Sequence, residues 1–205
     1  MRHSATSLKT WDNCPRLYKA KYIDKVLPFV THPAAQRGVE IHAKLEEAVA
    51  TGTAPDVWTP EGLVPALHAA GAEVEVSLGI TREGTPCGYA DDAVWLRGKI
   101  DVLVRKPDKA LVCDWKTGKV RPDKIQADMY TALVGGPVEF RLVYVDQRQV
   151  VNLSRDAQAW DRIKALAEAV EQDEEYLPNP CWLCRFCDYH ACRYNTAPRR
   201  QDDDD

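Results

Sequence analysis

The chain has 205 residues, of which 45% are hydrophobic and 28% are charged, so it can bury a substantial core without disulfide staples. No apolar run approaches the ~18 residues of a membrane span, and the first residues lack the apolar segment of a signal peptide. The formal net charge of −4 comes from the four final aspartates, so composition does not exclude a nucleic-acid partner. These features predict a cytoplasmic protein with reduced thiols.

The N-terminal third is predicted to be helical. Residues 4–24 indicate a capped helix, a break at Cys14-Pro15 and a second short helix, because proline suits a first helical turn. Residues 35–50 place apolar side chains at helical spacing. Residues 61–71 predict a short helix that ends at Gly71.

The rest of the chain alternates strands with helices. The patterns predict strands at 73–80, 93–106 and 110–118, a helix at 123–134, a hairpin at 139–153 and a long helix at 154–177. Asp123 and Ser154 are the expected N-caps of the two helices. This order predicts an α/β (α+β) fold with a central, mostly antiparallel sheet.

The hairpin of residues 98–119 gathers acids and a lysine. Asp114 and Lys116 are two residues apart and share one face of a strand. A four-residue turn at 107–110 predicts that Asp101 opposes Lys116 on that same face. Together these side chains can hold a hard divalent ion and an activated water. The alternative is a solvent-facing strand with an ordinary Asp–Lys pair.

Two helices flank this hairpin and carry polar pairs. His42 and Glu46 are four residues apart and share a helix face, as do Gln126 and Tyr130. Taken alone, His42 is more typical of a structural histidine, and Tyr130 of a half-buried surface residue.

The ordered motifs RGVEIH, GKIDVL, DWKTGK and QADMY, between Ser4 and Cys192, resemble the PD-(D/E)XK nuclease superfamily. The most similar branch contains the RecB/AddB nuclease domains and the CRISPR-associated and phage iron–sulfur exonucleases. The resemblance implies a restriction-endonuclease-like core with a mixed sheet flanked by helices. Its third motif is Asp-Trp-Lys, whereas many members have Glu-x-Lys, and either carboxylate can serve.

The resemblance also implies roles for the motif residues. It assigns Mg²⁺ or Mn²⁺ binding to three side chains, which are His42, Asp101 and Asp114. According to the resemblance, Lys116 assists the attacking water, and Gln126 and Tyr130 contact DNA or orient the active site.

Four cysteines lie within twelve residues near the C-terminus, at Cys181, Cys184, Cys187 and Cys192. Clustered thiols in a reducing compartment indicate a soft metal. The packed CxxC pairs, with His190 nearby, could bind Zn²⁺ locally. The family resemblance instead implies a structural [4Fe–4S] cluster on Cys14, Cys184, Cys187 and Cys192, with Cys181 as an alternative ligand. Four residues separate the last two cysteines here, whereas family members usually have five.

The implied function is a metal-dependent DNA exonuclease that acts on DNA ends or single strands in replication, recombination or repair. Small size suggests a nuclease without an attached helicase, and a phage-encoded protein fits this description. One nuclease domain is expected at 1–200, with 1–30 and 178–195 forming the cluster region and 201–205 a disordered acidic tail. DNA is the expected partner, alongside recombination or replication proteins and no membrane, and the oligomeric state is left open. The alternative is a non-catalytic or zinc-stabilised DNA-binding or adaptor module on this fold.

Candidates for stacking against bases of a single strand are Trp11, Trp115, Trp182 and Phe186. Cys87 and Cys113 lack a partner pattern and are expected to be buried structural thiols.

Overall fold

The computed structural model describes residues 1–27 and 33–196. The helices are α1 (Ala5–Asn13), α2 (Pro15–Tyr18), α3 (Pro33–Thr51), α4 (Leu63–Ala69), α5 (Lys124–Val134) and α6 (Ala159–Gln172), with a π-helical turn at Lys19–Ile23 and a 3₁₀ helix at Trp182–Phe186. The strands are β1 (Glu73–Ile80), β2 (Pro86–Cys87), β3 (Leu96–Arg105), β4 (Ala110–Lys116), β5 (Val138–Tyr144) and β6 (Gln149–Arg155). The predicted α/β class, a mixed sheet flanked by helices, is confirmed.

The six strands form one sheet in the order β2-β1-β3-β4-β5-β6. The described pairings are antiparallel except that of β4 with β5, which is parallel. A parallel pair needs a crossover connection, and α5 supplies it. The sheet is therefore a meander with one crossover at its centre.

The predicted register of the β3–β4 hairpin is wrong by two residues. Val102 pairs with Cys113 and Arg105 with Ala110, so the turn is residues 106–109. Extending this register by one pair puts Asp101 opposite Asp114 rather than opposite Lys116. Because side chains alternate with a period of two, the slip leaves these residues on the predicted face.

One hydrophobic core lies between a face of the sheet and helices α3 and α4. Its buried members are Ile41, Leu45, Ala48, Val49, Leu63, Val64, Leu67, Val102, Val104, Cys113, Trp115, Val143 and Val145. Helix α5 packs against β3, where Gly98 has no side chain to obstruct it. A Cβ at Gly98 would lie 2.8 Å from Leu133 Cδ1 and 3.1 Å from Tyr130 Cε1. This close approach holds α5 over the site described below.

Two predicted boundaries need correction. The long helix predicted at 154–177 begins only at Ala159 and ends at Gln172. Ser154 is not its N-cap, because it pairs with Glu139 within β6. Strand β2 was not predicted, since two residues carry no periodic pattern. The acidic tail 201–205 lies outside the described residues.

The chain divides into two compact units. The first comprises Met1–Ala5 and Thr31–Leu166 and contains the sheet. The second comprises Thr6–Val30 and Ala167–Asp205, so it joins an early segment to the cysteine-rich one. No helix in the described ranges is both long and apolar enough to span a bilayer.

Candidate active site and cysteine cluster

Two acids face each other on neighbouring strands of the first unit. The Asp101 side chain is 12% exposed and the Asp114 side chain 3% exposed. Asp101 Oδ2 accepts a hydrogen bond of 2.8 Å from the Trp115 backbone N–H, which fixes that carboxylate against β4. The β3–β4 register therefore brings together two carboxylates in a region with little water.

Burial, reinforced by the charge of Asp101, raises the pKa of Asp114 to about 6 from its ordinary 3.8, although Lys116 opposes the shift. The fully buried Asp114 Oδ2 makes no hydrogen bond of good geometry. Its cationic neighbour is Lys116 Nζ, at 2.5 Å. Lys116 therefore contributes one positive charge beside two largely buried carboxylates.

Gln126 links the acid to the lysine. Its Nε2 donates to Asp114 Oδ1 at 3.2 Å, and its Oε1 accepts from Lys116 Nζ at 2.7 Å. An amide can donate and accept at once, which a carboxylate or a lysine at this position could not do. Gln126 therefore fixes both charged groups.

Helix α5 positions Gln126 from two directions. Asp123 caps the helix, as predicted, by accepting from the Gln126 backbone N–H at 3.1 Å. One turn later, Tyr130 Oη accepts from Gln126 Nε2 at 3.0 Å and donates to the Lys99 carbonyl at 2.7 Å. Tyr130 thereby connects α5 to β3. Burial, followed by the nearby carboxylates, raises the pKa of its hydroxyl, which stays protonated.

His42 reaches the acids from α3. Its Nδ1 lies 3.4 Å from Asp101 Oδ2, and its side chain is 32% exposed. Burial lowers the pKa of His42, but the hydrogen bond and charge of Asp101 and the charge of Asp114 outweigh that effect, so the pKa is raised overall. The six predicted residues are thus brought together within the first unit.

The donor chemistry of this site fits a hard divalent cation. Within residues 1–27 and 33–196, no three His, Cys, Asp or Glu side chains are already arranged as metal ligands. The buried Asp114 carboxylate, a second carboxylate and an imidazole are nevertheless ligand types of Mg²⁺ and Mn²⁺ sites. Asp101, Asp114 and His42 are the residues that would hold the ion.

A sequence model of the PD-(D/E)XK nuclease superfamily matches residues 64–192. The chain belongs to this superfamily. The matched stretch contains Asp101, Asp114, Lys116, Gln126 and Tyr130, whereas His42 precedes it.

Two crystal structures are similar to this superfamily member over nearly its whole length. SSO0001 has a TM-score of 0.55 at 21% identity, with 95% of this chain and 87% of that chain covered. A protein described as a "putative exonuclease" from Eubacterium rectale has a TM-score of 0.53 at 12% identity, with 97% and 90% covered. At these identities the similarity concerns the fold. No protein of curated function matches the chain.

Sequence patterns missed a neighbouring acid of this nuclease-fold site. Glu75 lies within β1 at a φ of 54°, a left-handed conformation that is strained for a residue other than glycine. Its carboxylate is ion-paired with Lys99 Nζ. Both residues line a cavity of about 460 Å³ together with His42 and Glu46. Alternating polarity predicts a strand here but carries no signal of a reversed φ.

The second unit gathers most of the predicted cluster cysteines. Cys14, Cys184, Cys187 and Cys192 line one small cavity, together with prolines 178 and 180. Burial, followed by the nearness of the Cys14, Cys192 and Cys184 sulfurs, raises the pKa of the Cys187 thiol. Cys181 is exposed and does not line this cavity. Of the remaining thiols, Cys113 is buried as expected, but Cys87 is only half-buried.

The aromatic candidates occupy different environments. Trp115 is 2% exposed in the core, so its predicted role in stacking is wrong. Trp11 Nε1 donates to Asp173 Oδ2 at 2.8 Å within the second unit. Trp182 and Phe186 are exposed.

Proposed function

We propose that this protein is a Mg²⁺- or Mn²⁺-dependent deoxyribonuclease that degrades DNA from its ends or as single strands. The observation that carries the proposal is the buried, incompletely neutralised Asp114 carboxylate beside Asp101, Lys116 and His42. Desolvated acids of this kind are costly in a purely structural strand. Nuclease activity, which is the activity named for the superfamily to which the chain belongs, would explain why the chain keeps these acids buried.

Each residue has a role in this proposal. Asp101, Asp114 and His42 would hold a divalent cation, which would supply positive charge for the scissile phosphate and lower the pKa of a water. The Lys116 ammonium is placed to stabilise the negative charge that develops as the phosphodiester is cleaved. Gln126 fixes the positions of the Lys116 and Asp114 side chains through one hydrogen bond to each. Tyr130 fixes Gln126 to the sheet.

The test uses end-labelled single- and double-stranded DNA with Mg²⁺, Mn²⁺ or EDTA. We expect stepwise shortening with either metal, none in EDTA, and resistance of circular single strands. Asp114→Asn and Lys116→Ala should lose at least about a thousandfold of the rate. Lys119→Ala is the matched control, because Lys119 is an exposed lysine three residues further on. Wild-type cleavage by Asp114→Asn, or cleavage in EDTA, would refute the assignment.

We also infer a structural [4Fe–4S] cluster on Cys14, Cys184, Cys187 and Cys192. These cysteines line one cavity, and the Cys187 thiol is close enough to the other three to be affected by their charge. Four thiolates can hold an iron–sulfur cluster, and Zn²⁺ is the metal ion that could occupy the same site instead. A cluster there would tie the two segments of the second unit together. The exposed Cys181 is the less suitable ligand.

Anaerobic purification distinguishes these metals without any activity measurement. We expect brown protein with broad absorbance near roughly 400 nm and about four irons per chain. Cys14→Ser should bleach it, and Cys181→Ser should leave the colour unchanged. Colourless protein with one zinc per chain would favour the zinc-stabilised form.

The proposed biological setting is DNA replication, recombination or repair in the cytoplasm. It is supported by the resemblance of the ordered motifs, and of Cys14 followed by proline with cysteines near the C-terminus, to RecB/AddB-like and phage iron–sulfur exonucleases. The many thiols, unpaired by disulfides, suit a reducing compartment.

A further inference from the structure

We propose that the 3₁₀ helix Trp182–Phe186 carries a platform for single-stranded DNA, on which unpaired bases stack. The platform is defined by Trp182, Arg185 and Phe186. This inference rests on the proposed function because it identifies how the DNA substrate is engaged. It adds a binding surface in the second unit, whereas the proposed Mg²⁺ or Mn²⁺ ligands belong to the first unit.

The platform exposes aromatic area that a folded protein normally buries. Trp182 is 55% exposed and Phe186 is 64% exposed. Each side chain presents a flat π surface rather than the rounded surface of an aliphatic group. An aromatic face in water favours a planar apolar ligand, and nucleobases are such ligands.

The arrangement is preorganised. The two ring centroids lie 6.2 Å apart at 84°, and the Arg185 guanidinium sits over both rings, 4.8 Å from the Phe186 centroid and 5.7 Å from the Trp182 centroid. Side chains three apart eclipse each other on a 3₁₀ helix, which explains how residues 182 and 185 meet. The Cys184 backbone N–H donates to the Cys181 carbonyl at 3.0 Å, and the Cys181 backbone N–H donates to Cys184 Sγ at 3.4 Å, so the turn is held from both sides.

Charge favours a polyanion on this surface. The segment of residues 177–196 carries Arg185 and Arg193 against one acid, Asp188. Arg193 repeats the motif, with its guanidinium 4.7 Å from the Tyr194 ring centroid. Arginine beside exposed aromatic rings provides stacking and phosphate contact together. A duplex keeps its base faces stacked internally, so the ligand is a single strand.

The test measures affinity rather than cleavage. Fluorescence anisotropy of labelled oligo(dT) is recorded in EDTA, on an Asp114→Asn background that blocks hydrolysis. Trp182→Leu keeps an apolar side chain without an aromatic face and should weaken binding about tenfold. Trp182→Phe should retain most of the affinity. Arg185→Gln should reduce the salt dependence by about one unit of slope. Leu177→Ala is the matched control, because Leu177 is exposed and apolar but not aromatic.

Changing the DNA tests the same idea, with the Asp114→Asn protein as the parent and Trp182→Leu made on that background. An abasic oligonucleotide keeps the phosphates and loses the bases, so the difference between parent and Trp182→Leu should disappear. Equal binding of oligo(dT) by parent and Trp182→Leu overturns the platform. Equal weakening by Trp182→Leu and Trp182→Phe, or an undiminished effect on abasic strands, also overturns it. Trp182-dependent binding by wild-type protein that never cleaves DNA would instead contradict the nuclease proposal alone.

Discussion

At the scale of single residues, Asp114 is a carboxylate that the fold places in an unfavourable environment. It is buried beside Asp101, and burial is the larger cause of its raised pKa. Protonation is therefore favoured in the folded chain relative to the unfolded one. The stability present below its ordinary pKa of 3.8 is lost as the pH rises through about 6. A divalent cation would restore that loss by pairing with the ionised acid.

Replacing Asp114 with asparagine, its neutral isostere, should reveal the stability that the ionised carboxylate costs above a pH of about 6. We predict that Asp114→Asn raises the melting temperature of the EDTA-treated protein at pH 8, by an amount equivalent to about 1–3 kcal/mol. The difference should vanish near pH 4, where wild-type Asp114 is also neutral. Mn²⁺ should stabilise wild type and not the variant. Differential scanning fluorimetry at both pH values measures these effects.

Asp128 offers the matched control for that substitution. It is also shielded, at 14% exposed, but two arginines neutralise it, with Arg162 Nη2 at 2.8 Å and Arg155 Nε at 3.0 Å. Asp128→Asn should therefore lower the melting temperature where Asp114→Asn raises it. A fall for both variants at pH 8 would show that Asp114 is adequately paired by Lys116.

Gln126 should act by positioning its charged neighbours. We predict that Gln126→Ala lowers kcat by about 10- to 100-fold and changes KM little, because Lys116 and Asp114 lose their shared partner. Steady-state kinetics on labelled oligonucleotides separates the two constants. Gln147→Ala, in the exposed β5–β6 turn, is the control. An unchanged kcat for Gln126→Ala would remove it from the site.

At the scale of secondary-structure elements, the contact of α5 with β3 decides where Gln126 lies. A Cβ at position 98 would approach Leu133 and Tyr130. Leu133 can change rotamer, but the Tyr130 ring is held through its hydroxyl bond to the Lys99 carbonyl. The glycine of the GKIDVL motif therefore sets the distance between helix and sheet.

A methyl group at this position should separate the two elements. We predict that Gly98→Ala destabilises the protein by about 1–3 kcal/mol and reduces nuclease activity further than the stability loss explains. Thermal melts and activity assays below the transition measure the two effects. Gly38→Ala is the control, since its Cβ would meet only Thr117 Oγ1 at 3.5 Å. Gly38→Ala should be neutral or stabilising through helix propensity. Equal stability of the two variants would contradict the packing argument.

At the scale of the whole molecule, the second unit is assembled from distant parts of the chain. Asn179 Nδ2 donates to the Asn13 carbonyl at 3.0 Å, and the Tyr18 and Tyr176 rings stack at 6.3 Å. The proposed cluster would close a loop of about 170 residues between Cys14 and Cys184, which restricts the unfolded chain.

Loss of this closure should destabilise the second unit. We predict that Cys14→Ser increases hydrogen exchange in residues 6–27 and 173–196, because the variant lacks one of the proposed cluster ligands that would link these segments. Mass spectrometry of peptides from these segments measures the change, and Cys181→Ser serves as the control. Unchanged exchange in Cys14→Ser would mean that the cysteines do not stabilise the unit.

The sequence by itself determined most of the helices and strands and which side chains share a face. Periodicity placed β1 at 73–80 and α5 near 123–134, and the spacing of Asp114, Lys116, Gln126 and Tyr130 put each pair on one face. Such local patterns depend on backbone geometry, which repeats every 2.0 or 3.6 residues. Asp101 lies on the predicted face of the sheet although the predicted β3–β4 register was wrong, because the error was two residues and side chains alternate with a period of two.

Only the tertiary structure decided the pairings and environments. The β3–β4 turn could have closed at several lengths, and long-range pairing chose the one that opposes Asp101 to Asp114. Burial of Trp115, exposure of Trp182 and the strained φ of Glu75 depend on neighbours far away in sequence. Local composition does not encode such neighbours, because solvent access and charge balance are properties of the packed chain.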